Sequence, residues 1–160
     1  MADFKAQRIA LRSIQHLCAP PAKVFPLLCP TRQYEWIALW QCRMLYSESG
    51  FAENNCVFTT SLPETGGEEV WIVSRYEPDR TIQFVRTSAL RIIRYNITLT
   101  ANRDGTTTAM WDQIITALNE EGNQHLASLT DEKYRAEIVR LEKLLNHFLQ
   151  TGKALPVEDW

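Results

Sequence analysis

No apolar run in this chain approaches the roughly 18 residues that a membrane-spanning helix requires, and no apolar stretch follows Met1-Ala2-Asp3-Phe4-Lys5. Neither stable membrane insertion nor a secretory leader is expected, and the chain is read as cytoplasmic. Neither sign of charge dominates: 17 basic and 19 acidic side chains leave a formal charge of −2, too weak a field to gather a polyphosphate backbone. Nucleic acid is therefore not an expected partner. Arg86, Arg91 and Arg94 form the densest basic cluster, and across a strand boundary they read as a solvated face. Cys18, Cys29, Cys42 and Cys56 lack Cys-x-x-Cys spacing and the pattern of a small secreted scaffold, so reduced, partly buried thiols are expected. His16, His125 and His147 lie too far apart to suggest a ligand set, so no metal and no cofactor is expected.

What is present is an ordinary globular composition. With 160 residues, 45% of them hydrophobic, the chain is long enough for one self-sufficient core. We place a single domain at 1–152 and a C-terminal tail at 153–160. From Phe4 to Leu17 the residues alternate, with Ile9, Leu11 and Ser13 on one face, as in a half-buried strand. Pro20-Pro21 punctuates the chain, and Val24, Phe25, Leu27 and Leu28 give one face of a short helix interrupted by Pro26. Thr31 to Trp40 reads as a second short helix or turn dense in aromatic surface.

Six further strands are expected at Cys42 to Ser47, Val57 to Leu62, Glu69 to Tyr76, Thr81 to Thr87, Arg91 to Ala101 and Thr106 to Leu118. Turn chemistry separates them at Glu48-Ser49-Gly50, Pro63 to Gly67, Glu77-Pro78-Asp79 and Asn102 to Gly105. The period then changes. Tyr134, Ile138, Leu141, Leu145 and Phe148 recur at helical spacing, with Thr130 as N-cap and Gly152 as the stop. The fold class is α+β: about seven antiparallel strands curved around a long C-terminal helix, with two short helices after strand one.

This element order resembles the START-like, or SRPBCC, superfamily in its bacterial-type, polyketide cyclase/dehydratase-like members. Local motifs carry the likeness: Ala19-Pro20-Pro21-Ala22-Lys23-Val24-Phe25 where strand one gives way to helix, Tyr34-Glu35-Trp36-Ile37 with Trp40, and Gly105-Thr106-Thr107 before Trp111. The resemblance implies a helix-grip fold and a cavity between sheet and helix for a hydrophobic small molecule such as a lipid or polyketide. It also implies two alternatives, a cyclase or dehydratase acting on a polyketide-like substrate and a protein-interaction module of the chaperone-activator kind. No catalytic signature of the enzymatic branches and no nonheme iron triad is present. A monomer or small homo-oligomer fits equally.

Strand parity limits which residues face such a cavity. If the turn at Glu77 to Thr81 pairs Tyr76 with Ile82, then Val70, Ile72, Ser74 and Tyr76 share a face with Ile82, Phe84 and Arg86. A two- or four-residue loop at Asn102 to Gly105 groups Ile93, Tyr95, Ile97 and Leu99 with Thr108, Met110, Asp112 and Ile114. A three-residue loop would instead bring in Ala109, Trp111, Gln113 and Ile115. The first register is preferred, and it makes Arg86, Tyr95 and Asp112 the inward polar groups, hence the candidates for acid–base chemistry. The expected ligand-binding set is Trp36, Trp40, Phe58, Ile72, Tyr76, Phe84, Arg86, Tyr95, Ile97, Met110, Asp112, Tyr134, Ile138 and Leu141. Trp36, Trp40 and Phe58 suit either a cavity mouth or the core.

Overall fold

Alternating apolar residues in seven segments build one antiparallel sheet, whose ladder runs β1-β7-β6-β5-β4-β3-β2 in a computed structural model that describes residues 3–62 and 67–160. The strands are β1 (Arg8–Leu17), β2 (Cys42–Tyr46), β3 (Val57–Leu62), β4 (Gly67–Glu77), β5 (Thr81–Thr87), β6 (Arg91–Ala101) and β7 (Thr107–Ala117). Apart from Gly67, the turn expected at Pro63 to Gly67 lies outside the described residues. Helix α1 (Pro21–Val24) and two 3-10 turns, Phe25–Leu28 and Gln33–Glu35, follow β1; α2 (Glu120–Ala127) and α3 (Asp131–Thr151) close the chain. Among the described residues no helix is long and apolar enough to cross a membrane.

Helix α3 has the expected limits. The Thr130 hydroxyl accepts a hydrogen bond from the Lys133 amide at 3.2 Å, and Gly152 takes the left-handed conformation (φ 70°) that a helix stop favours. Its stripe packs on the concave face of the sheet, where Tyr134, Ile138, Leu144 and Leu145 are buried and Leu141 and Phe148 half-buried. Each fully buried side chain of this kind contributes about 1.5–3 kcal/mol.

Edge chemistry decides where on the sheet the helix lies. Strand β1 is an edge, and the backbone groups on its open side need partners. Helix α3 supplies them: Glu142 accepts from the His16 amide at 2.7 Å, and Asn146 accepts from the Cys18 amide and donates to the His16 carbonyl, both at 2.9 Å. From inside, buried Gln15 donates to the Ile138 carbonyl at 3.0 Å. The helix is thereby strapped toward β1.

Helix α2 was not expected from the sequence, although Asn119 caps it by accepting from the Gly122 amide at 2.8 Å. It also displaces the expected start of β1 from Phe4 to Arg8, because Asn123 holds the preceding segment, accepting from the Gln7 amide at 2.9 Å and donating to the Lys5 carbonyl at 3.1 Å. The helix sits so close to the β5–β6 turn that a Cβ on Gly122 would lie 2.1 Å from the Leu90 carbonyl oxygen. Residues 153–160 fold back along α3: Trp160 lies under the Arg140 guanidinium at 5.4 Å, and Lys143 donates to the Asp159 carbonyl at 2.6 Å.

Gly122→Ala should destabilise the protein by about 1–3 kcal/mol, because backbone overlap outweighs the roughly 1 kcal/mol gained in helix propensity. Urea unfolding checks this, and an unchanged or raised midpoint would refute the close approach of α2 to Leu90.

Candidate functional site

Two registers determine what faces the helix. Tyr76 pairs with Ile82 as expected, but a bulge between Val73 and Arg75 inserts an extra residue, so Val73 opposes Phe84 and Trp71 opposes Arg86. The bulge reverses parity. Glu69, Trp71 and Val73 thus point inward, and Ile72, expected inside, lies half-buried on the outer face. At the other hairpin five residues separate the paired Ala101 and Thr107, so Tyr95 opposes Gln113 and Ile97 opposes Trp111. The preferred register is therefore corrected: Ala109, Trp111, Gln113 and Ile115 face inward, and Met110 and Asp112 face outward. Asp112 lies 3.9 Å from Arg94 on that outer face. Its expected part in acid–base chemistry has no geometric support.

The far half of the concave face is filled by rings. Trp71 stacks on Phe58 with centroids 5.3 Å apart and meets Phe84 edge-on at 5.5 Å; Phe84 reaches Tyr95 at 6.2 Å, and Tyr95 reaches Trp111 at 5.7 Å. Trp40 meets Trp71 at 6.4 Å, and Tyr76 meets Phe25 at 5.3 Å. Trp36 is fully buried and donates to the Leu27 carbonyl at 2.7 Å. Trp36, Phe58, Phe84, Ile97 and Ile138 are core side chains by position, and half-buried Trp40 and Leu141 pack against them.

The other half is open. Helix α3 is tied to β1 from Ile138 onward, and a cavity of about 530 Å³ remains between the sheet and its first turns. Leu11, Ile93, Tyr95, Gln113 and Ile115 line it from the sheet, Leu129 and Tyr134 from the helical side, and exposed Lys133, Ala136, Glu137 and Arg140 surround its mouth. Of the expected site residues, Arg86, Tyr95 and Tyr134 line this cavity. Tyr76 lines a separate depression of about 260 Å³ beside Phe25 and Cys29.

Arg91 also belongs to the larger cavity, which corrects its reading as part of a solvated face, while Arg86 faces inward as its strand parity predicts. Both point inward from adjacent strands and share one carboxylate: Arg91 Nη2 donates to Glu69 Oε1 at 3.0 Å, and Arg86 Nε lies 3.2 Å from Glu69 Oε2. The Glu69 side chain is 0% exposed, that of Arg91 5% and that of Arg86 15%. The Arg86 guanidinium lies 4.6 Å over Trp71, a cation–π contact that offsets part of its desolvation. Arg91 Nε donates to His125 Nε2 at 3.3 Å, so His125 accepts there as a neutral ring. One signal in the sequence pointed to this cluster, since Arg91 has the parity of Ile93 and Tyr95; Glu69 shares the parity of Trp71 and Val73, which only the bulge turns inward.

Burial, with the Arg91 charge adding to it and Glu69 opposing, lowers the His125 pKa; burial and the Arg86 charge likewise lower that of Arg91. Burial raises Tyr95 well above the ordinary phenol value, with Tyr134 and Glu137 adding, and raises Tyr134 with Glu137 and Asp112 adding. Both phenols are protonated donors at neutral pH, and the buried Tyr134 hydroxyl has no hydrogen-bond partner among the described residues.

Two outcomes follow. Glu69→Ala should cost about 3–5 kcal/mol, since it leaves two buried cations with no carboxylate; a loss below about 1 kcal/mol in urea unfolding would show that the cluster is solvated. His125 has a folded pKa below the unfolded value of about 6.5, so protons favour the unfolded chain and its contribution declines as pH falls below that value. The wild type should lose more stability than His125→Gln between about pH 7 and pH 5, and parallel pH profiles would contradict the assignment.

No family model and no curated protein sequence matches the chain. Solved structures do. Ara h 8.0201 superposes with a TM-score of 0.66 at 12% identity, covering 91% of this chain and 99% of that one. A point mutant of Thalictrum flavum norcoclaurine synthase, in complex with a transition-state analogue, gives 0.65 at 8% identity over 89% and 97%. DynU16, encoded in the dynemicin biosynthetic locus, gives 0.63 at 17% identity over 90% of this chain. This chain spans about half of DynU16, 48% of its length. At such identities the likeness is one of fold.

Proposed function

Starting from the START-like helix-grip fold that the chain shares with these structures, we infer that it binds a small molecule with an apolar body between the sheet and α3. The observation that carries this reading is the cavity of about 530 Å³, a volume within the range of small-molecule sites, with apolar walls and a few convergent polar groups. Leu11, Ile93, Ile115 and Leu129 offer the apolar surface, and Tyr95, Tyr134 and Gln113 the orienting groups. The transition-state analogue held by norcoclaurine synthase is in keeping with a fold that accommodates such molecules.

A binding role is favoured over cyclase or dehydratase chemistry by the placement of the acidic groups. Asp112 is on the outer face, and among the described lining residues Glu137 at the mouth is the one carboxylate. The buried phenols hold their protons too firmly to act as bases near neutral pH.

Ala136→Trp tests the site, because it places a large ring at the mouth from an exposed helical position that the fold does not depend on. Nile red, an uncharged fluorescent probe, should bind the wild type, and its Kd should rise about tenfold or more in the variant. Equal affinities would remove the cavity from consideration as the binding site.

A further inference from the structure

The charges around the cavity do not balance. Arg86, Arg91, Lys133 and Arg140 line it, and Glu69 and Glu137 are the carboxylates set against them. Two positive charges are therefore in excess, in a chain whose formal charge is −2. One of them sits on the floor, where Glu69 is shared by two guanidinium groups and no second carboxylate lies within ion-pair distance of either among the described residues. A buried excess charge is costly unless something of opposite sign meets it.

The hydrogen-bonding capacity is incomplete as well. Arg91 Nη1 is buried without a partner among the described residues, and Arg86 Nε lies near Glu69 without the alignment of a hydrogen bond. Tyr134 lines the same space, and its hydroxyl is a protonated donor buried without a partner among the described residues. His125 already serves as an acceptor for Arg91 and brings no negative charge. Arg86 and Arg91 thus bring buried donors and positive charge to the floor of a cavity whose walls include the aliphatic Leu11, Ile93, Ile115 and Leu129.

We propose that the ligand is an amphipathic monoanion, an apolar body bearing one carboxylate, with the carboxylate seated against Arg86 and Arg91 beside Tyr134. This rests on the binding reading above and adds the chemistry of the head group. Glu69 has a definite part in it: it neutralises one arginine, so that the site matches a single negative charge and not two. Lys133 and Arg140 at the mouth favour approach of the same sign of ligand.

Naphthalene-2-carboxylate and naphthalene-2-carboxamide have the same shape and differ in charge, and calorimetric titration of the wild type with each is the test. The carboxylate should bind about tenfold or more tightly than the amide, as expected for charge-assisted hydrogen bonds in a water-poor site. Arg86→Gln leaves Arg91 and Glu69 as a neutral matched pair, so it removes the excess charge without leaving an unpaired ion. In that variant the preference should fall to about threefold or less. Equal binding of both compounds by the wild type, or an undiminished preference in Arg86→Gln, overturns the anionic assignment while leaving the binding role intact. Binding of neither compound overturns both. The wild-type comparison needs no variant, so it decides the question even if Arg86→Gln does not fold.

Discussion

An edge strand must find partners for the backbone groups on its open side, and the way β1 does so governs the rest of this molecule. Glu142 and Asn146 hold the His16 to Cys18 backbone from the helix, and Gln15 reaches the Ile138 carbonyl from within the sheet. These bonds hold α3 against β1 from Ile138 onward. Beyond the reach of the helix the concave surface is filled by rings, and beneath its first turns lies an open cavity.

Much of this was legible because two periods in the sequence are unambiguous. Alternation located all seven strands to within a few residues, and the stripe from Tyr134 to Phe148 located α3 together with both of its caps. Helix α2 escaped because it is eight residues long and its seat depends on Asn119, Gly122 and Asn123 making tertiary contacts instead of on an apolar stripe. Its cap residue followed by Glu120 and Glu121 was the available signal.

The site was less legible than the fold, and the reason is register. A single inserted residue at Ser74 turned β4 over midway, exchanging Ile72 for Trp71 and Glu69. A five-residue connection between β6 and β7 exchanged Met110 and Asp112 for Trp111 and Gln113. Neither event changes composition or periodicity enough to be read in advance. Arg91 was misread for a related cause: charge suggests solvent, and only three-dimensional proximity to Glu69 reveals why its guanidinium group and that of Arg86 can both stay inside.

The row of rings from Phe58 through Trp71, Phe84 and Tyr95 to Trp111 fills the sheet beside the charged cluster of Glu69, Arg86 and Arg91, and of its members Tyr95 also lines the cavity. Trp71 and Tyr95 touch both regions, since the Arg86 guanidinium lies over each. A change at Tyr95 would therefore disturb the packing of the row, the setting of Arg86 and the wall of the cavity together, whereas Phe58 and Trp111 are joined to the charged cluster only through their neighbours in the row.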